Sequence, residues 1–352
     1  MATERTSPTP EAPKENFARG LLQVDMPEFG TPMRGKVRDS WIIDEQDPEF
    51  RVMVTTDRQS AYDSIVCTVP GKGQVLNLLS AYWFEQTQDV VPNHMIAVPH
   101  PNVLFARQAQ ATLPVEVVLR RYMARSSTTT SVYHNYSNRG RRNIYGIDFP
   151  EGLQPNQEFP MGTVLTPTTK ADAGHDEELS DERALEIVDS KLGDGTWDKA
   201  KSAAYAIFER ARTHCLDRGL ILVDTKYEFG IDGDGNLMLI DEVHTPDSSR
   251  FWLAETYEEK FKEGKTPDTF DKEILRRWLA EKGFKGDGPI PKVDTAIIDA
   301  MAQAYTVPYR MITGQELPPQ FLDTTQQVSS SNPDLIREAA SRYVTAFIHG
   351  SS

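Results

Sequence analysis

The sequence holds very little cysteine. Cys67 and Cys215 are the only two in 352 residues. That is too few for a disulfide scaffold and fits a reducing compartment. Long hydrophobic runs are missing: no apolar stretch approaches the ~18 residues that a membrane span needs. Basic charge is scarce, with 38 Lys and Arg against 52 Asp and Glu and a net charge of −14. Binding a phosphate backbone needs clustered cations, so a nucleic-acid surface over the whole chain is excluded. A local basic pocket for a small phosphorylated ligand is not. Residues 1–20 are rich in Thr, Pro, Glu and Lys with no apolar core, so no secretory signal is expected. The triplet Asn135-Tyr136-Ser137 therefore means little as a glycosylation site. Seven His and two Cys lie scattered without metal-site spacing, and no nucleophilic triad stands out.

What is present describes a globular chain. Fifteen Phe, twelve Tyr and five Trp are too many for intrinsic disorder. The length suits one large domain or two to three ordinary ones. Residues 1–16 read as a disordered tail. Residues 37–44 and 51–56 are short apolar or β-branched runs around a polar turn, and strands are also expected over 94–98, 103–109 and 115–122. Residues 77–88 have helical apolar spacing. Residues 126–169 are polar and aperiodic, the mark of a functional loop or a disordered stretch. Helices are expected over 181–190 and 198–218, the second stopped by Gly219. A strand at 220–224 follows, then two strands flanking a turn at 232–236. A short helix at 272–282 and helices over 294–305 and 333–349, limited by Pro308 and Gly350, close the chain. Strands early and helices late point to an α+β fold and not to a doubly wound sheet.

Two motifs are near misses. Gly30-Thr31-Pro32-Met33-Arg34-Gly35-Lys36-Val37 has the glycines and lysine of a P-loop. Val37, however, stands where Ser or Thr would hold Mg2+, and the following residues alternate like a strand. A phosphate-covering glycine turn between two strands, with Lys36 and Arg38 on one face, fits better; an ordinary hairpin turn is the plain alternative. Asp232-Gly233-Asp234-Gly235-Asn236 begins like a calcium loop, but Leu237 replaces the obligatory glycine and Val243 the closing glutamate. A tight turn accounts for it.

The strands beside that turn carry more. Asp224, Lys226 and Glu228 alternate with Thr225, Tyr227 and Phe229, which places three charges on one face. Asp241 and Glu242 follow the return strand. Two carboxylates and a lysine converging there suit Mg2+ and a phosphate group, with a solvated sheet face as the alternative. If Glu228 pairs opposite Asp241, the loop is 233–236 and both carboxylates share a face. A one-residue shift would separate them unless a bulge intervened. Thr166-Pro167-Thr168-Thr169-Lys170 with His175-Asp176 is another polar cluster, which spacing alone does not distinguish from a helix-capping loop.

Six segments, in order, resemble the SAICAR synthetases of purine biosynthesis. They are Gly35-Lys36-Val37-Arg38-Asp39; Thr56-Asp57-Arg58-Gln59-Ser60-Ala61-Tyr62-Asp63; Pro114-Val115-Glu116-Val117-Val118; Thr166 to Lys170 with His175-Asp176; Asp224-Thr225-Lys226-Tyr227-Glu228-Phe229-Gly230; and Asp241-Glu242 through Arg250-Phe251-Trp252. The resemblance implies an ATP-dependent ligase that activates the carboxylate of carboxyaminoimidazole ribonucleotide (CAIR) as an acyl phosphate. The amine of L-aspartate then displaces phosphate. Positioning and charge neutralisation carry such chemistry without a covalent enzyme intermediate.

By the same resemblance, Gly35, Lys36 and Arg38 lie under the ATP phosphates, and Pro114, Val115 and Glu116 form a hinge strand along the adenine. Glu228 and Asp241 hold Mg2+. Lys226, Asp247 and Arg250 approach CAIR, with Arg120 and Ser126 near its phosphate. Lys170 and Asp176 belong to the same pocket, and Asp57 and Ser60 to a segment lining it. Lys226, Glu228, Lys170 and Asp241 form the catalytic group. The implied organisation is a nucleotide-binding lobe over 17–115, a central lobe with the CAIR and metal site over 116–265, and a helical region over 266–352 packed on the core. The implied partners are CAIR, L-aspartate and ATP, with no nucleic acid or membrane, in a cytoplasmic chain for which a monomer is one option and whose oligomeric state the sequence does not give. The family has Arg-Gly-Tyr-x-x-Gly-Ser after the hinge strand. This chain reads Arg120-Arg121-Tyr122-Met123-Ala124-Arg125-Ser126, with arginine at both glycine positions. A small-molecule kinase is the second reading, set apart by needing no aspartate.

Overall fold

The computed structural model describes residues 12–44, 46, 48–62, 64–126, 128–170, 176–270, 273–317 and 332–350. The glycine turn joins β1 (Met33–Arg34) to β2 (Arg38–Ile43), and β3 (Phe50–Thr55) follows. A separate hairpin of β4 (Arg58–Ala61) and β5 (Ser64–Thr68) leads into α1 (Lys72–Thr87). With β6 (Met95–His100) and β7 (Val103–Arg107) the first sheet runs β1-β2-β3-β7-β6, antiparallel throughout. Period-2 alternation gives it two apolar faces. Met53, Leu104 and Ala106 join the main core with α1, while Trp41, Val52, Val54, Val103 and Phe105 form a second cluster on the other face.

The central sheet takes β8 (Ala111–Thr112), β9 (Val115–Arg120), β12 (Val164–Leu165), β13 (Thr168–Thr169), β14 (Leu220–Ile231), β15 (Leu237–Ile240) and β16 (Ser249–Leu253). A small hairpin of β10 (Asn143–Ile144) and β11 (Ile147–Asp148) stands apart. The spine is β14, one twelve-residue strand where two had been expected. Its first part lies between β16 and β9, its last part between β15 and β8. Behind it lie α2 (Asp181–Leu192) and α3 (Thr196–Asp217); Trp197, Ile207, Phe208 and Cys215 of α3 are fully buried against Leu220 and Leu222. After β16 come α4 (Ala254–Lys262), α5 (Glu273–Glu281), α6 (Thr295–Thr313) and α7 (Pro333–Gly350).

Three expectations need correction. The expected tail ends before Asn16, which is 1% exposed: its amide donates to the Val66 and Pro291 carbonyls and its oxygen accepts from the Val293 N–H. Lys14–Phe17 is a 3-10 turn around it. The aperiodic residues 128–169 are ordered, because Val132, Tyr136, Ile144, Tyr145, Phe149, Leu153 and Phe159 build a small core of their own. Helix α6 does not end near Pro308. It runs through it to Thr313, since Tyr305, Tyr309 and Ile312 bury one continuous face and offset the ~3 kcal/mol cost of an interior proline. Helix α7 covers the outer face of the first sheet, with Ile336, Ala340 and Val344 packed on the second cluster. No helix among the described residues is long and apolar enough to cross a membrane.

Candidate active site

The antiparallel pairing of β9 with β14 sets Arg120 opposite Asp224 and Val118 opposite Lys226. Alternation then sends Glu116, Arg120, Asp224 and Lys226 into one cleft of about 330 Å³, which Asp247 and Arg250 also line. Asp224 is its electrostatic anchor. Arg120 Nη1 lies 2.8 Å from Asp224 Oδ2, and Arg250 Nε 2.9 Å from Oδ1. Burial opposes ionising Asp224, but Arg250 and Arg120 outweigh it and hold its pKa below the usual carboxylate value. One carboxylate thus fixes two guanidiniums whose remaining N–H groups suit a phosphate.

A second, smaller cavity of about 130 Å³ is lined by Met53, His94, Gln108, Ala109, Thr112, Lys170, Glu228, Ile240 and Asp241. A chain of ion pairs links the two. Lys226 Nζ is 2.9 Å from both Glu116 Oε1 and Glu228 Oε1, and Glu228 Oε2 accepts from Lys170. Burial disfavours the Lys226 charge, yet Glu228, Glu116 and Asp241 overcome it and raise its pKa. Arg38 closes the other side, pairing with Asp241 at 2.5 Å and with Glu242 at 3.1 Å. Burial alone would raise the Asp241 pKa; Arg38, Lys226 and Lys170 reverse this and hold it low.

The expected hairpin register is off by one. Glu228 pairs with Ile240 and Ile231 with Leu237, and the Asp232 N–H donates to the Asn236 carbonyl. The turn is pinned by Asp232 Oδ1, which accepts from the N–H groups of Asp234 and Asn236. A regular strand in this register would turn Asp241 away from Glu228. The ladder has no bulge; instead Asp241 lies just past the end of β15 with φ +66°, and that left-handed residue re-aims the carboxylate into the cavity that Glu228 lines.

Other residues fall in mixed places. Gly35 and Lys36 form the exposed turn, where the Gly35 N–H donates to the Arg38 carbonyl at 2.7 Å. Ser126 and Asp176 line the larger cleft. Pro114 and Val115 line neither cavity, because Val115 is buried and paired with Thr169. Gln108, Ala109 and Thr112 border the smaller cavity, and Gly230 lets this segment approach: a Cβ there would sit 2.8 Å from the Ala109 Cβ. Asp57 is outside the cleft. Its oxygens accept from the N–H groups of Leu21 and Gly73, and burial pushes its pKa up to about 6. Ser60 pairs with Ile65 in the β4–β5 hairpin and lines neither cavity. His175 and Asp63 lie outside the described residues. At the two departures, Arg121 pairs with Glu158, and Arg125 is exposed with its carbonyl accepting from Arg250 Nη1. Sequence reasoning gave no site role to Asp224 or Arg276, which both line the larger cleft. Asp224 was detectable as the first of the three alternating charges on β14. Arg276 reaches the larger cleft from α5 and had no local signal.

The family model for SAICAR synthetase matches residues 31–291. The chain belongs to the SAICAR synthetase family. It is 43% identical over 297 residues to a phosphoribosylaminoimidazole-succinocarboxamide synthase of Legionella pneumophila (strain Lens), covering 84% of this chain and 91% of the relative. It is 42% identical to a chloroplastic one of Arabidopsis thaliana, over 84% of this chain and 70% of that protein. Among solved structures, the SAICAR synthase of Saccharomyces cerevisiae complexed with SAICAR superposes with a TM-score of 0.71 at 31% identity, over 84% of this chain and 99% of the other. The α+β fold and the ATP-dependent ligase activity of purine biosynthesis follow from this membership, and the kinase reading is not favoured.

Proposed function

We propose that this chain joins L-aspartate to CAIR in two steps across its two cavities. In the first, a CAIR carboxylate oxygen attacks the γ-phosphorus of ATP, giving an acyl phosphate and ADP. In the second, the amine of aspartate attacks the acyl carbon, the C–O bond to phosphate breaks, and the amine gives up a proton as SAICAR forms. The observation that supports this reading is the ion-pair chain Glu116–Lys226–Glu228–Lys170 joining a guanidinium-lined cleft to a smaller, partly apolar cavity.

In this reading the CAIR phosphate lies toward Arg120, Arg250 and Ser126. The purine of ATP lies against Met53, Ala109, Thr112 and Ile240. Its phosphates lie toward Lys36, Arg38 and Lys170. Lys226 keeps its proton on Nζ, because its carboxylate neighbours raise its pKa, so it orients and neutralises carboxylates and does not act as a base. Mg2+ fits the donor set. Glu228 and Asp241 each bring a carboxylate to one cavity, and Mg2+ characteristically takes one or two carboxylates beside water and phosphate oxygens. When bound, it would neutralise charge on the transferring phosphoryl group. The proposal extends to a cytoplasmic location, in keeping with two buried free thiols.

Omission assays test it. Sustained ADP release should need CAIR, aspartate and Mg2+ together, with SAICAR identified by mass. Steady phosphorylation of another metabolite without aspartate would replace the ligase reading with a kinase.

A further inference from the structure

The mechanism above leaves two buried cations unused, Arg58 and Lys72. Arg58 is 4% exposed and Lys72 1%. An interior guanidinium or ammonium is costly unless every N–H is matched, and here some of the matching groups are carbonyls of the glycine turn and the carboxylate of Asp247. Arg58 donates to both oxygens of Asp39 at 2.6 and 3.2 Å, and to the Leu22 carbonyl at 2.7 Å. It also donates to the carbonyls of Gly35 at 3.0 Å and Lys36 at 3.4 Å. The third carbonyl of the turn, on Val37, accepts from Thr56 N and Oγ1 at 2.9 and 2.6 Å. In a trans peptide the C=O and the following N–H point in opposite directions. Pulling the Gly35 and Lys36 carbonyls toward Arg58 therefore turns the Lys36 and Val37 N–H groups the other way, as a nest for an anion requires.

The second half starts at the Arg58 carbonyl. It accepts from Lys72 Nζ at 3.0 Å, and the same Nζ lies 2.8 Å from Asp247 Oδ2. Asp247 Oδ1 lies 2.6 Å from the Tyr305 hydroxyl, which is also 2.7 Å from Gln59 Oε1. Asp247 lines the larger cleft.

We propose that Arg58 and Lys72 form one buried cationic brace, in which Arg58 with Thr56 positions the phosphate-facing turn and Lys72 with Tyr305 positions Asp247 toward CAIR. Both are positioning residues. The proposal rests on the assignment of ATP and CAIR to the two cavities.

Calorimetric titration of the full chain with ATP alone and CAIR alone tests it, beside KM and kcat for each. In Arg58→Lys, one ammonium cannot reach Asp39 and two carbonyls at once. ATP should bind about tenfold more weakly, with CAIR unchanged within about twofold. In Lys72→Met, CAIR should weaken about tenfold and ATP hold within about twofold. Thr56→Val and Tyr305→Phe keep volume and carry the same two tests, about threefold each, where the larger changes prevent folding. Equal losses for both ligands, or folded variants that bind both normally, would overturn the brace while wild-type turnover stands. A wild-type chain that binds neither ligand would overturn the functional reading and the brace with it.

Discussion

Arg250 cannot be given to a phosphate on charge alone, since Asp224 already holds it. That prior pairing makes the arginine useful: its guanidinium is oriented before the ligand arrives. Arg250→Ala should weaken CAIR by about 1.5–3 kcal/mol, roughly 10–150-fold, and ATP far less. Separate titrations check this, and equal losses would make Arg250 structural. Histidine gives a residue-scale prediction of another kind. His244 is wholly buried, its Nε2 lies 3.0 Å from the Tyr227 hydroxyl, and burial lowers its pKa from 6.5 to about 3. The unfolded chain then binds the extra proton more readily, so this contribution is complete above pH 6.5 and is lost as pH falls toward about 3. Asp57 acts with the opposite sign: its raised folded pKa favours the fold at low pH and loses that as pH climbs from 3.8 through about 6. His244 has φ +47°, a conformation asparagine tolerates. Urea midpoints at pH 7 and 5 should therefore converge in His244→Asn relative to wild type.

Among the elements, the β14–β15 hairpin brings Glu228 and Asp241 to one cavity although its register differs by one from the expected one. The charge alternation on β14 was visible in the sequence. The turn length was not, because Asp232 can cap either a three-residue or a four-residue loop with the same side chain. The left-handed Asp241 absorbs the difference. Asn adopts that conformation readily and keeps the shape, so Asp241→Asn should retain the wild-type melting temperature while kcat falls by about 100-fold or more. Loss of folding in this variant would mean that the Arg38–Asp241 pair is needed for stability first. The segment expected along the adenine is a related case: Val115 and Glu116 read as strand and lie in β9, just after Pro114. Only its pairing with β13 shows that the edge is taken and that Gln108, Ala109 and Thr112 face the cavity.

At the scale of the molecule, α7 is the part furthest in sequence from the first sheet that it covers. Ile336 is fully buried there among Trp41, Val52 and Phe105. Ile336→Ala should cost about 2–5 kcal/mol and lower the melting temperature by several degrees. kcat/KM for CAIR should hold within about twofold at 25 °C, and a larger fall would tie α7 to the site. By itself the sequence determined the α+β class, the position of most strands and helices, the glycine turn and the charged alternation of β14. These depend on local periodicity and turn chemistry, which neighbouring residues carry. The tertiary structure alone decided that residues 128–169 pack, that Asp57 spends its oxygens on backbone N–H groups, and that α5 delivers Arg276 to the cleft. It also decided that Arg58 reaches the carbonyls of the glycine turn and Lys72 the carboxylate of Asp247. Each of these depends on groups brought together from distant parts of the chain, and pairing at that range leaves no period in the sequence to read.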